Sequence, residues 1–156
     1  MIAIEEEVME FSNIDEVLGY AIAREREAAA LYTELADRVS RPELRQLLLD
    51  FSSQERRHRE RLEMVRGGEL SGFTSEIVQT LKIADHLGTP EPTAHMTYRE
   101  ALLFAVKSEG ASYALYSKLA EMTDDDRLND VFCSLAREEA VHKLKFEQEY
   151  QASPRS

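Results

Sequence analysis

The chain has 156 residues, of which 43% are hydrophobic and 31% charged. This length and composition are typical of one folded domain with a buried core rather than a disordered chain. Acidic residues outnumber basic ones 30 to 19, which gives a formal net charge of −11. Such a surface repels phosphate backbones and anionic headgroups, so we expect neither a nucleic-acid partner nor a membrane partner.

Two features of the sequence bear on its cellular location. The acidic run Glu5 to Glu7 stands where a secretory signal peptide carries positive charge, so we predict a cytoplasmic protein. The single cysteine, Cys133, can form neither an internal disulfide nor a four-cysteine metal site. We interpret it as a small buried apolar side chain.

Four long segments carry apolar residues at helical spacing. They cover about residues 13–38, 42–66, 98–122 and 125–151. Helix starts are indicated by polar capping residues, namely Asn13, Ser40, Thr97 and Asp124. Gly67 and Gly68 form a stop signal after the second helix.

The connection between the second and third helices, residues 67–97, is the longest in the chain. Its pattern favours a short helix near residues 76–86. We predict that His86 and His95, which lie in this connection, are solvated loop residues. Its apolar side chains suggest a surface for self-association; they are Phe73, Ile77, Val78 and Leu81.

The chain also repeats itself. When residues 14–62 are compared with residues 98–146, an offset of 84 without a gap, 12 of 49 positions are identical. The matches include three polar pairs that shared amphipathicity does not require, Glu25/Glu109, Glu55/Glu139 and His58/His142. We therefore predict one all-α domain over residues 1–156, a four-helix bundle of two duplicated hairpins (13–66 and 98–151) joined by one long crossover (67–97).

Glutamate and histidine recur within these pairs at a spacing that suits a metal. Glu55 and His58 are three residues apart on one helix, as are Glu139 and His142, so each pair projects from one helix face. Mid-helix glutamates among small and apolar neighbours, Glu25 and Glu109, are costly to bury unless they are paired.

Four inward carboxylates are neutralised by two divalent cations. We therefore predict a dinuclear site with six ligands: Glu25, Glu55, His58, Glu109, Glu139 and His142. Oxygen-rich ligands with two imidazoles suit iron or manganese, and zinc is a further option. The alternative is that these residues lie on solvated faces of a structural bundle.

Two tyrosines follow the single glutamates. Tyr32 and Tyr116 each lie seven residues beyond Glu25 or Glu109, on the same helix face. They are either core aromatics or hydrogen-bond donors to a ligand carboxylate of the opposite hairpin. Glu27 and Glu138, which have no identical partner at the repeat offset, are expected to be solvated.

The order of these residues resembles the ferritin-like di-iron carboxylate proteins: a glutamate, Glu-x-x-His, a glutamate, and Glu-x-x-His, one group on each helix. The stretch Glu25 to Tyr32 with Leu35-Ala36, and its echo Glu109 to Tyr116, is most similar to the rubrerythrins. The resemblance spans about residues 13–151. It implies a ferritin-like fold, with Glu55 and Glu139 bridging two iron ions and Glu25 and Glu109 as terminal ligands.

Two departures from that family refine the expectation. Rubrerythrins usually carry a rubredoxin domain, which one cysteine cannot build, so electrons would come from a separate donor protein. They also tend to have a glutamate three residues after the third-helix ligand, where this chain has Ser112. This moves the site toward the symmetric arrangement of bacterioferritins.

The leading interpretation is a non-haem di-iron oxidoreductase that reduces peroxide or oxygen, in a homodimer or larger homo-oligomer. Three alternatives stay open. The first is a ferroxidase that stores or delivers iron, and the second is a dimanganese catalase. The third is a metal-free helical interaction module.

Overall fold

The computed structural model describes residues 8–68, 73–84 and 96–154. Four long helices dominate it: α1 (Ile14–Arg38), α2 (Pro42–Arg66), α4 (Tyr98–Met122) and α5 (Asp126–Ala152). The expectation of an all-α bundle made of two helical hairpins is confirmed, since α1 packs along α2 and α4 along α5. Among the described residues, no helix combines the length and apolar character needed to span a bilayer.

The helix starts follow local capping chemistry. Asn13 accepts a hydrogen bond from the Glu16 amide at 3.0 Å, and Thr97 accepts one from Glu100 at 3.0 Å, both as predicted. The predicted caps Ser40 and Asp124 are wrong by one residue.

Each shift has a local reason. Pro42 supplies the fixed φ of the first helical position, so the preceding Arg41 is the N-cap and makes no side-chain hydrogen bond. Asp125 caps α5 by accepting from the amides of Arg127 and Leu128 at 2.8 and 3.3 Å.

Apolar side chains form two clusters, one toward each end of the bundle. The first joins the start of α1, the end of α2, the end of α4 and the start of α5, with Leu18, Leu119 and Phe132 at its centre. The second joins the opposite ends of the same helices around Leu35, Leu102 and Phe146. The polar residues of interest lie between these two clusters.

The crossover differs from its predicted structure. A short helix α3 (Ser75–Gln79) is followed by a strand β2 (Lys82–Ala84), which pairs antiparallel with β1 (Val8–Glu10). The predicted helix over 76–86 is therefore correct only in its first part. His86 and His95 lie outside the described residues.

The apolar residues of the crossover also behave differently from the prediction. Phe73, Val78 and Leu81 are buried in the first apolar cluster of their own chain, and Ile77 alone of the four is exposed. Phe73, Val78 and Leu81 therefore stabilise the bundle internally, and of these four side chains only Ile77 is accessible to a second copy of the chain.

Candidate metal centre

The six residues singled out by the repeat meet halfway along the bundle. Glu25 comes from α1, Glu55 and His58 from α2, Glu109 from α4, and Glu139 and His142 from α5. Each has at most 1% of its surface exposed. That they bind metal stays a prediction; the structure brings all six side chains together.

The cluster consists of two overlapping groups. One ligand atom from each of Glu25, Glu55, His58 and Glu139 lies within 4.8 Å of the others, and the same holds for Glu55, Glu109, Glu139 and His142. The 84-residue offset converts one group into the other. Glu55 and Glu139 belong to both groups, so the two groups share two carboxylates.

Both imidazoles direct the same nitrogen into the cluster. His58 Nδ1 lies 2.6 Å from Glu139 Oε1, and His142 Nδ1 lies 2.7 Å from Glu55 Oε1. Each contact joins a histidine of one hairpin to a glutamate of the other. The second contact is a hydrogen bond.

Several buried atoms of the cluster have no hydrogen-bond partner among the described residues. They are Glu25 Oε2, Glu55 Oε2 and Glu109 Oε2, together with Glu139 Oε1 and His58 Nδ1, which lie 2.6 Å apart but not in hydrogen-bond geometry. Unsatisfied polar atoms are costly in a protein interior and call for an explanation. Converging carboxylate oxygens and imidazole nitrogens are the ligand types that hard and borderline metal ions prefer.

The electrostatics of the metal-free cluster support this explanation. Burial, followed by the charge of Glu109, raises the pKa of Glu55 and of Glu139 well above the ordinary value. Burial alone would also raise the pKa of Glu109, but the proximity of Glu139 and of His142, whose Nδ1 lies 3.6 Å from Glu109 Oε1, lowers it.

The histidines compensate for part of this negative charge. Burial would lower the pKa of His58, but Glu25 and Glu55 outweigh that effect and raise it to about 10. In the same way, Glu109 and Glu55 outweigh the effect of burial and raise the pKa of His142 to about 9. Without metal, the cluster therefore holds protons that divalent cations would displace.

Two tyrosines brace the single glutamates across the hairpins. Tyr32 donates a hydrogen bond to Glu109 Oε1, and Tyr116 donates one to Glu25 Oε1. Burial, and then the charge of the neighbouring glutamate, raises the pKa of both phenols far above normal, so they remain protonated donors. Each tyrosine is thus both a core aromatic and a hydrogen-bond donor to a glutamate of the opposite hairpin, because each ring is also buried in an apolar cluster.

The outer nitrogens of the histidines have partners that the sequence interpretation missed. His142 Nε2 lies 2.6 Å from Gln54 Oε1, and His58 Nε2 lies 3.1 Å from Glu138 Oε2. Glu138 was expected to be solvated, and its side chain is indeed 43% exposed, yet it contacts His58 and Arg61. The sequence offered one signal for these contacts, because Gln54 and Glu138 each stand directly before the glutamate of a Glu-x-x-His motif.

The remaining candidates lie outside the cluster. Glu27 is half exposed and pairs with Arg24, in agreement with its expected solvation. Cys133 is half-buried rather than fully buried, with Sγ 3.7 Å from Asn129 Oδ1. Ser112 lines a narrow crevice between α1 and α4, together with Tyr20 and Tyr116.

Comparison with known structures agrees with this geometry. A candidate ferritin-like diiron-carboxylate protein from Thermotoga maritima is similar at a TM-score of 0.70 and 20% identity, covering 96% of this chain and 100% of that one. A conserved hypothetical protein from Mycobacterium tuberculosis matches at 0.63 and 21%, covering 91% and 94%. An uncharacterised conserved protein from Magnetospirillum magnetotacticum matches at 0.63 and 27%, covering 92% and 97%.

A four-helix bundle with a buried glutamate and histidine cluster at its centre defines the ferritin-like class of carboxylate proteins that hold two metal ions. Within that class, residues 16–150 match the rubrerythrin family model, so the chain belongs to the rubrerythrin family. No curated protein matches the sequence. The cluster suits a site for two metal ions, and the resemblance inferred from the sequence is confirmed.

Proposed function

We propose that the chain binds two iron ions at the central cluster and uses them to reduce peroxide or oxygen. The observation that carries this proposal is the pair of overlapping ligand groups, each of three carboxylates and one imidazole, sharing Glu55 and Glu139. Family membership supports iron over zinc or manganese. In such a site, two ferrous ions supply the electrons and the Lewis acidity for cleavage of an oxygen–oxygen bond.

The protein side chains have separate roles in this proposal. Glu55 and Glu139 would be shared by the two ions, while Glu25 and Glu109 would each hold one ion. Hydrogen bonds from Tyr116 and Tyr32 orient the carboxylates of Glu25 and Glu109. The fully buried cluster between two apolar layers limits access of bulk water.

Electrons would come from a separate protein. The 156 residues contain one cysteine, so they cannot form a rubredoxin-type iron site. We further propose that this donor and the protein meet in the cytoplasm, and that the chain acts as a homodimer or larger homo-oligomer.

Rapid mixing tests the proposed reaction. The protein is loaded anaerobically with ferrous iron, desalted, and mixed with peroxide while the ferric absorbance is followed. We expect oxidation an order of magnitude or more faster than that of free ferrous iron. Oxidation no faster than free ferrous iron would contradict the proposal. The matched control is the Glu55→Gln/Glu139→Gln variant, which preserves side-chain volume but removes the shared carboxylates.

A ferroxidase that stores or delivers iron is the second candidate. The equivalence of the two ligand groups favours it, because a symmetric site has no dedicated extra carboxylate, and Ser112 stands where one is common. Faster oxidation by oxygen than by peroxide, together with a solution mass of a closed shell of many subunits, would support storage. Oxygen evolution from peroxide without a reductant would instead indicate catalase chemistry.

A further inference from the structure

The six proposed ligands are identical between the two hairpins, but the groups that contact their histidines from outside are not. Gln54 and Glu138 occupy equivalent positions, one residue before Glu55 and Glu139. Each reaches across to the histidine of the other hairpin, Gln54 to His142 and Glu138 to His58. One imidazole therefore contacts a neutral amide and the other a carboxylate.

The direction of these hydrogen bonds follows from the orientation of the rings. Nδ1 of each histidine faces the cluster, so a ring that binds metal through Nδ1 carries its proton on Nε2. Nε2 then donates to Gln54 Oε1 in one half of the cluster and to Glu138 Oε2 in the other. A hydrogen bond to a carboxylate is about twice as strong as one to a neutral acceptor.

The surroundings of the two histidines also differ. On the His58 side, Arg61 holds Glu138 in place at 3.1 Å. The residue equivalent to Arg61 in the repeat is Lys145, whose ammonium lies 3.9 Å from Glu149. On the His142 side, Phe51 stacks on the imidazole with ring centroids 4.1 Å apart.

We propose that Gln54 and Glu138 make the two metal positions unequal, with the position served by His58 favouring the more oxidised ion. The inference rests on the proposed binding of two irons. A carboxylate acceptor increases the electron-donating strength of a ligand imidazole and places negative charge near its metal. Arg61 donates to the same oxygen as His58, Glu138 Oε2, and weakens this effect, but Arg61 and Glu138 are 35% and 43% exposed, so solvent screens the attraction between them. Gln54 and Glu138 are thus positioning residues that act through the histidines.

The test measures the two one-electron reduction steps of the iron-loaded protein in the absence of peroxide. The Glu138→Gln variant gives both histidines an amide, and Gln54→Glu gives both a carboxylate. We expect the two potentials to move closer together in both variants, with an upward shift in Glu138→Gln and a downward shift in Gln54→Glu. A purely structural role for these residues would not produce shifts of opposite sign.

The control is Glu147→Gln, on the same helix and 40% exposed, which should leave both potentials unchanged. The inference is overturned if the separation between the two reduction potentials stays unchanged in both variants, or if both variants shift the potentials in the same direction. Mössbauer spectra of the wild-type diferrous protein give a second measurement that needs no variant. Two unequal ferrous doublets support the proposal, and a single doublet contradicts it.

Iron content and peroxide reactivity are measured separately on the same samples. Two unequal irons with a slow peroxide reaction would contradict the proposed reaction and support this inference. A fast peroxide reaction with equivalent irons would support the reaction and contradict the inference. A protein that binds no iron would contradict both.

Discussion

The central cluster and the two apolar clusters beside it are buried to the same degree, but they contribute to stability in opposite ways. Glu55 and Glu139 have 0% and 1% of their surface exposed, and Leu119 and Phe132 each have 0%. Removing the apolar side chains from water stabilises the fold. Burying four carboxylates destabilises it unless protons or cations neutralise them.

The two apolar clusters and the central cluster therefore have different functions in the fold. The apolar clusters lie at both ends of the bundle, where they pack the four helices against one another. The central cluster is thereby held in a conformation that it would not adopt alone, with unsatisfied oxygens directed at one another. We therefore expect the fold to form before metal binds, and metal to relieve the electrostatic cost of the buried carboxylates.

Metal loading should change the stability of the protein most, because it turns the destabilising contribution of the central cluster into a stabilising one. Ligand at a thousand times its Kd stabilises a folded protein by about 4 kcal/mol per site. We therefore expect the midpoint of thermal unfolding to rise strongly when ferrous iron is added anaerobically. Calorimetry of apo and loaded protein measures this, and the Glu55→Gln/Glu139→Gln variant should show no such rise.

Truncation within an apolar cluster should be the next largest effect. Leu119→Ala removes a fully buried side chain and should lower the free energy of unfolding by about 3–5 kcal/mol, in apo and loaded protein alike. Denaturant titration measures this loss. Leu144→Ala, at a side chain that is 56% exposed, is the control and should change stability by less than about 0.5 kcal/mol. An equal loss in both variants would contradict the assignment of the core.

The pH dependence of the apo protein should come third. His58 has a folded pKa of about 10 against an ordinary 6.5, so its stabilising contribution is complete below pH 6.5 and is lost as pH rises toward 10. His142, with a pKa of about 9, acts in the same direction. So do Glu55 and Glu139, because the pKa of each carboxyl group is raised. Glu109, whose pKa is lowered, acts in the opposite direction, but its change lies below pH 4.5.

The apo protein should therefore lose stability between pH 6.5 and 9, and thermal unfolding across this range measures the loss. A tenfold difference in proton affinity between the folded and unfolded states corresponds to about 1.4 kcal/mol at most. Iron affinity should rise over the same range, since binding displaces protons. An apo protein that becomes more stable as pH rises would contradict the proposed protonation of the cluster.

Removal of one bracing hydroxyl should have the smallest effect. Tyr116→Phe keeps the ring in its apolar cluster but removes the hydrogen bond to Glu25, at an expected cost of about 1–2 kcal/mol. Tyr113→Phe, where the side chain is 45% exposed, is the control. Denaturant titration of both variants makes the comparison, and equal stabilities would mean that the phenol does not support Glu25.

Much of the fold and of the site could be predicted from the sequence because both repeat. Helical periodicity places the four long helices, and the recurrence of polar pairs at one offset separates inward glutamates such as Glu25 from outward ones such as Glu27. The strand pairing of residues 8–10 with 82–84 could not be predicted, since three-residue strands carry no periodic signal. The contacts of Gln54 and Glu138 with the histidines were missed because these two residues differ between the halves, whereas the repeat is visible only where residues are identical.

The most direct test of the central claim is the number of irons bound per chain after anaerobic loading and desalting. We predict two irons per chain in the wild-type protein, from the two ligand groups that share Glu55 and Glu139. We also predict loss of both in Glu55→Gln/Glu139→Gln, with the helical content retained. A wild-type protein that binds no iron, or a variant that still binds two, would contradict the claim.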